Sequence, residues 1–269
     1  SENKNISIIF NSCGSENTKS IIGKFLLKRV LESEQVKLIS VRDNIENIKK
    51  IAGDQIAEKK DVYESDDPAI IVGRAYGVVK KDTNIIGIGI ISNLAYVNAH
   101  SRNENKYLIT EDYLINRWIE IIESLNNLGY ECKIFSNGGY HDNAIAYKLK
   151  KTININIEVF IPKSPQDLVE EISNYKAIFA HRLHANILAY SLKIPSIGFV
   201  WDDKLIEFGT RTKREKFFLN LKEYDTTEII ELFNQAIDEG IDEAHYNMIT
   251  NNIISDFKVK ISKALMETP

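Results

Sequence analysis

The sequence has only two cysteines in 269 residues, Cys13 and Cys132, far apart and without Cys-x-x-Cys spacing. That scarcity argues against a thiolate zinc site and against a disulfide-stapled secreted scaffold, and it suits a reducing cytosol. A basic surplus is also missing, since 34 Lys and Arg stand against 38 Asp and Glu, for a net charge of -4. The surface as a whole therefore favours neither nucleic acid nor anionic lipid, and any anion site has to be a local arrangement of a few cations. Long apolar runs are absent: 85–91 and 194–200 are among the most apolar stretches, and both are far shorter than the ~20 residues that span a bilayer. This predicts a soluble protein. The first four residues are polar and precede a short strand-like run, so the start does not read as a signal peptide. The sequence does not open on Met and reads as trimmed or tagged. It contains no repeat and no low-complexity tract.

What is present is ordinary for a globular protein: 43% hydrophobic and 27% charged residues, in a chain long enough for one large domain or two smaller ones. Residues 5–10 (NISIIF) form a β-branched run stopped by the polar turn 11–15, after which 21–31 repeats apolar residues at helical spacing. The next strand is 36–41 (VKLISV), followed by a helix over 44–52 closed by Gly53 and by a turn at Asp66-Asp67-Pro68. A second series opens with a strand at 85–91, a helix over 111–128 and a strand at 131–135. Strict alternation follows: helix 143–149, strand 153–159, helix 165–172, strand 177–180, helix 183–192 and strand 196–200. Short strand–helix connections of this kind are the signature of parallel strands joined by right-handed crossovers. Two last helices, 226–236 and 242–264, are expected to pack over this sheet. The reading is an α/β protein with Rossmann-like parallel sheets, divided into 1–75 and 76–269 with a linker near 73–82. The first part supplies two clear strands, too few for an independent doubly wound domain, so either they join the larger sheet or a segment is missing before Ser1.

In open parallel sheets ligands bind beyond the carboxyl ends of the strands. Three such corners carry a cation, at Arg42-Asp43, at His181-Arg182-Leu183-His184 and at Trp201-Asp202-Asp203-Lys204. The first two run directly into helices, whose N-terminal N–H groups and dipole favour an anion. Within 177–204 strand, cation corner, helix and strand are consecutive, which predicts neighbouring strands whose corners open into one pocket. There Arg182 could hold a phosphate or carboxylate as a planar fork and Lys204 as a point charge. His184 among these cations is expected to be neutral and usable as a general base or, once protonated, an acid.

Plainer readings stand beside these. Arg42-Asp43 also fits a capping Asp and a solvated Arg. His181 and His184 have a metal-like i, i+3 spacing, but no third ligand is suitably spaced, so no metal is expected. Lys204 alone reads as a surface lysine, Trp201 as core or as a stacking platform, and Asp142 as a helix cap with His141 beside it. The charged runs 49–60 and 211–216 read as solvated faces. Loops such as 97–105 are candidates for shaping ligand specificity.

HRLHANILAYSLKIPSIGFVWDDK resembles the C-terminal signature of the polysaccharide pyruvyl transferases, where Arg-x-His opens a helix and an aromatic-Asp-x-Lys segment follows the next strand. SVRDNIENIKKIAG and DDPAI resemble two further landmarks, an Arg-Asp corner and an Asp-Pro turn. The resemblance spans residues 40–208. It implies a two-domain fold similar to the B-type glycosyltransferases and transfer from phosphoenolpyruvate to sugar hydroxyls, leaving a pyruvate ketal and inorganic phosphate. It also implies that Arg42, His184 and Lys204 bind phosphoenolpyruvate, that His184 is the acid/base, and that Arg182 matches the motif in a binding or structural role. The family's glycine-rich Asn-x-Gly-Asp corner is not found, so the N-terminal domain reads as incomplete.

The expected partners are phosphoenolpyruvate as donor substrate, with no cofactor, and a bacterial cell-surface glycan or lipid-linked sugar on the cytoplasmic side. No nucleic acid is expected; peripheral membrane proximity and a homo-oligomer are both compatible. The rival readings are a sugar-nucleotide glycosyltransferase, for which Glu207 is an ambiguous ribose-binding carboxylate, and a degenerate anion-binding protein.

Overall fold

The structure, a computed structural model, describes residues 6–15, 20–100 and 109–266. The protein is α/β with two all-parallel sheets. Strands β1 (Ile8–Cys13), β2 (Val36–Val41) and β3 (Val62–Glu64) form a sheet of their own in the order β1-β2-β3. Strands β4 (Ile85–Gly89), β5 (Glu131–Phe135), β6 (Glu158–Phe160), β7 (Ala177–Ala180), β8 (Ser196–Phe199) and β9 (Phe218–Leu219) form the second, ordered β6-β5-β4-β7-β8-β9. The first strands thus do not join the larger sheet.

Strand order in the second sheet is that of a doubly wound Rossmann unit, reversing between β4 and β7. β7 (AIFA) and β8 (SIGF) are buried at every residue, as expected of strands covered on both faces. β4 needs glycine because its neighbours approach so closely. A Cβ on Gly87 would lie 2.4 Å from the Tyr175 ring, and one on Gly89 2.8 Å from both Ala180 and Phe135. Helix Leu183–Ser191 is buried from Ala185 to Ser191, because it is apolar on nearly every side. Helix Glu111–Asn127 lays Leu114, Ile115, Trp118, Ile121, Ile122 and Leu125 onto the core, and Arg117 fastens it to the start of helix Thr226–Glu239 by donating to Thr226 Oγ1 and Tyr224 O, both at 2.8 Å.

The chain divides into two compact units, residues 1–68 with 244–269, and residues 69–243. This differs from the expected division in two ways. Helix Val72–Tyr76, overlapping the expected linker, belongs to the second unit, where Gly73 packs so tightly that a Cβ would lie 2.7 Å from Leu192. The C-terminal helix Glu243–Met266 groups with the first unit rather than over the second sheet. Buried Lys260 fixes it there, pairing with Asp256 and donating to Asn11 Oδ1 at 2.6 Å, while Tyr63 of β3 donates to Asp256.

Other local readings shift as well. β6 covers 158–160 rather than 153–159, because helix Tyr140–Thr152 runs further at both ends than expected. Helices Asp54–Lys59, Asn93–His100 and Asp203–Arg211 and strand β3 had no counterpart in the sequence reading. Of the candidate loop 97–105, residues 97–100 are helical and 101–105 lie outside the described residues. The charged runs are not wholly solvated. Lys60 is buried and donates to Ser33 O and Val36 O at 2.8 and 2.7 Å; buried Arg214 donates to Gly240 O, and burial lowers its pKa to about 10. Backbone carbonyls meet both cations, although Arg214 Nε and Nη2 have no partner among the described residues, and sequence spacing does not reveal such contacts.

Candidate active site

The second unit offers its crevice at the carboxyl ends of β4 and β7, where strand order reverses. β7 runs into His181, then into Arg182, the N-cap of helix Leu183–Ser191. His184, in the first turn, is exposed. β8 pairs with β7, so the next corner, Trp201 to Lys204, follows a neighbouring strand as the sequence predicts. It also opens a helix: Asp202 caps Asp203–Arg211 by accepting from the Lys204 backbone N–H at 3.0 Å. Lys204 is half-buried, and Glu207 on the same helix is exposed.

Arg182 is engaged within the fold. Its Nε and Nη2 donate to the Asp142 carboxylate at 2.9 and 3.0 Å, in a forked pair. Asp142 is only 1% exposed and also accepts from the Ser92 backbone N–H at 2.8 Å. It stands in the first turn of its helix but does not cap it: Gly139 is the N-cap, and the partners of Asp142 come from two other corners. Trp201 completes the surroundings: its Nε1 donates to His181 O at 2.7 Å, and its ring centroid lies 5.7 Å from the Arg182 guanidinium.

His181 is wholly buried. Its ring sits against Trp118, Tyr96 and Phe199 at centroid distances of 5.4, 5.8 and 5.1 Å, and neither ring nitrogen meets a partner among the described residues. Burial, with a smaller contribution from nearby Arg182, lowers its pKa to about 3, so it is neutral at ordinary pH. His181 and His184 therefore differ sharply in environment despite their i, i+3 spacing. Among the described residues no group of three His, Cys, Asp or Glu is arranged to hold a metal ion. His141 is exposed, its ring 5.3 Å from that of Tyr140.

Arg42 belongs to the first unit and the other three candidates to the second. Arg42 follows β2, is 23% exposed in its side chain and pairs with Asp67. Asp43 is buried rather than capping: its Oδ1 accepts from the Ser15 backbone N–H and from Ser15 Oγ at 2.8 Å. Asn44 is the cap of helix Ile45–Ala52, accepting from Glu46 N at 3.1 Å. Gly14 lies over this corner, where a Cβ would stand 3.4 Å from Asp43 Oδ2 and 3.5 Å from Arg42 Nη2. Asp67 and Asp142 are the partners that sequence reasoning missed. Their signal was position, since each lies just beyond a parallel strand.

Among the described residues no helix is long and apolar enough to cross a membrane. No curated protein matches the chain. Among solved structures, a glycosyl transferase family 9 protein from Veillonella parvula DSM 2008 is 11% identical, with a TM-score of 0.44, over 82% of this chain and 81% of that one. The profile of the polysaccharide pyruvyl transferase family matches residues 1–203, a span that holds Arg42, Arg182 and His184 and ends immediately before Lys204. With 203 of its 269 residues inside that match, the chain belongs to the polysaccharide pyruvyl transferase family and is a transferase.

Proposed function

We propose that the protein moves the pyruvyl group of phosphoenolpyruvate onto hydroxyls of a bacterial cell-surface glycan or its lipid-linked precursor, on the cytoplasmic side of the membrane. The observation that carries this reading is the pair of helix starts beyond neighbouring parallel strands β7 and β8, one presenting exposed His184 and the other Lys204. A donor with both a phosphate and a carboxylate suits cations and helix N-termini from adjacent corners. Arg42, beside Gly14 in the first unit, is a third donor-binding candidate.

The chemistry asks for a proton and for positive charge. One sugar hydroxyl oxygen bonds to C2 of the enol and gives up its proton to the base as a proton is delivered to the C3 methylene, making it methyl. The C2–O bond to phosphate breaks, phosphate leaves with the bonding pair, and a second hydroxyl closes the ketal as its proton is removed. His184 is the acid/base in this scheme, and Lys204 offsets the charge on the departing phosphate. His181, buried and neutral, takes no part. The scheme uses no cofactor.

The test is thermal unfolding with phosphoenolpyruvate, UDP or GDP, on wild type and on Arg42→Ala, His184→Ala and Lys204→Ala. A ligand that binds the native state alone raises Tm. We expect phosphoenolpyruvate to do so, and the effect to shrink in Arg42→Ala and Lys204→Ala. Stabilisation by a nucleotide instead would make the protein a sugar-nucleotide glycosyltransferase. No response to any of the three would leave a degenerate member of the family.

A further inference from the structure

Asp142 is the most deeply buried carboxylate among the described residues. Its helix follows β5, while its donors, Ser92 N and the Arg182 fork, follow β4 and β7. These three strands are adjacent in the sheet, in the order β5-β4-β7, and the crevice where strand order reverses lies between the last two. One side chain thus ties three strand ends together at the place where a ligand is expected. From the other side, Trp201 ties the corner after β8 to the same segment through His181 O.

Burying a charge is costly unless it is paired and hydrogen-bonded, and an apolar pair of the same volume would stabilise the fold as well or better. The pair therefore invites a reason beyond stability. Arg182 is the N-cap of the helix that carries His184, in extended geometry (φ -75°, ψ 127°) and without a side-chain capping bond of its own. What locates Arg182 therefore locates the helix start. We propose that Asp142 is a positioning residue for the donor: acting through the Arg182 fork, it sets the first turn of helix Leu183–Ser191 and thereby the place of His184 at the crevice. The proposal rests on the pyruvyl-transfer reading above. It also assigns the Arg182 charge to Asp142 rather than to the donor.

The experiment is calorimetric titration of phosphoenolpyruvate into wild type, Asp142→Asn, His184→Ala and the double variant, at a temperature where circular dichroism shows all four folded. Asn keeps the size of Asp142 but loses its charge and cannot accept the whole fork. We expect Asp142→Asn to weaken binding roughly tenfold, and the double variant to bind no more weakly than the weaker single one, within about twofold. A merely structural Asp142 would lower Tm while leaving the Kd of the folded protein unchanged. Unchanged binding by Asp142→Asn, or losses that multiply in full in the double variant, overturns the proposal. If Asp142→Asn does not fold, Arg182→Lys, which keeps the charge but loses the fork, is read in its place against the same outcomes. Failure of wild type itself to bind phosphoenolpyruvate overturns the functional reading, and this proposal with it.

Discussion

Two arginines each follow a parallel strand, and each answers an aspartate from another corner of its own unit, yet the two pairs are differently built. Arg42 and Asp67 in the first unit have side chains 23% and 10% exposed, against 33% and 1% for Arg182 and Asp142 in the second. The arginines are comparably wet, so the difference lies in the carboxylates. Water can reach part of Asp67 and compensate it when its partner leaves. Asp142 depends on its protein donors, because a carboxylate cut off from water pays the full desolvation penalty for each bond it loses. The second pair behaves as architecture. The first is less completely sealed from water.

The largest effect that tests this contrast is on stability. Removing Arg182 from Asp142 by Arg182→Ala should cost about 3 kcal/mol in urea unfolding, the range for a buried carboxylate left without its partner. Arg42→Ala should cost less, about 1–2 kcal/mol, because Asp67 is largely buried but keeps more contact with water than Asp142. Equal losses, or the reverse order, would break the comparison and make the first pair as structural as the second.

A second effect, spread over several pH units, separates the two histidines of the β7 corner. His181 has its pKa lowered to about 3 by burial, so in the unfolded chain it takes up a proton as pH falls below ~6.5 while the folded chain does not. The unfolded state then binds more protons, and stability falls as pH drops from ~6.5 towards 3, at up to about 1.4 kcal/mol per pH unit. His181→Phe, of similar shape among Trp118, Tyr96 and Phe199, should flatten that slope, whereas His184→Ala should leave it in place. Urea unfolding at several pH values decides between them, and an unchanged slope in His181→Phe would show that other groups carry the acid sensitivity.

The corner holding these histidines was legible in the sequence because strand, cation, helix and strand are consecutive, and consecutive units of this kind become neighbours. The same logic gave β4, β5, β7 and β8 and the parallel arrangement. It gave neither Asp142 as the partner of Arg182, 40 residues apart, nor burial of Lys60 and Arg214, because those partners are set by tertiary placement. Helix Asp203–Arg211 went unread because DDKLIEFGTR is dominated by charge, although Leu205 and Phe208 are buried at helical spacing. β3 has only three residues, too few for a period to show. The C-terminal helix was legible as a helix, but its apolar stripe does not say which sheet it serves. Lys260 decides that, by reaching Asn11, 249 residues away.

The two cysteines bring the smallest effect and the sharpest local report on the contrast between the units. Cys13 ends β1 and is exposed, while Cys132 sits in β5, 7% exposed, with burial pushing its thiol up to about 12. A thiol reagent attacks the thiolate, so native protein should label at Cys13 promptly and at Cys132 only through opening of the second unit. The labelling rate of Cys132 therefore measures that opening, and each loss of about 1.4 kcal/mol should raise it tenfold. Because Asp142 ties the corner after β5 to those after β4 and β7, Asp142→Asn should speed Cys132 labelling. Asp67→Ala, confined to the first unit, should not. Equal acceleration by both substitutions would mean that the units open together, and that burial of one carboxylate does not distinguish them.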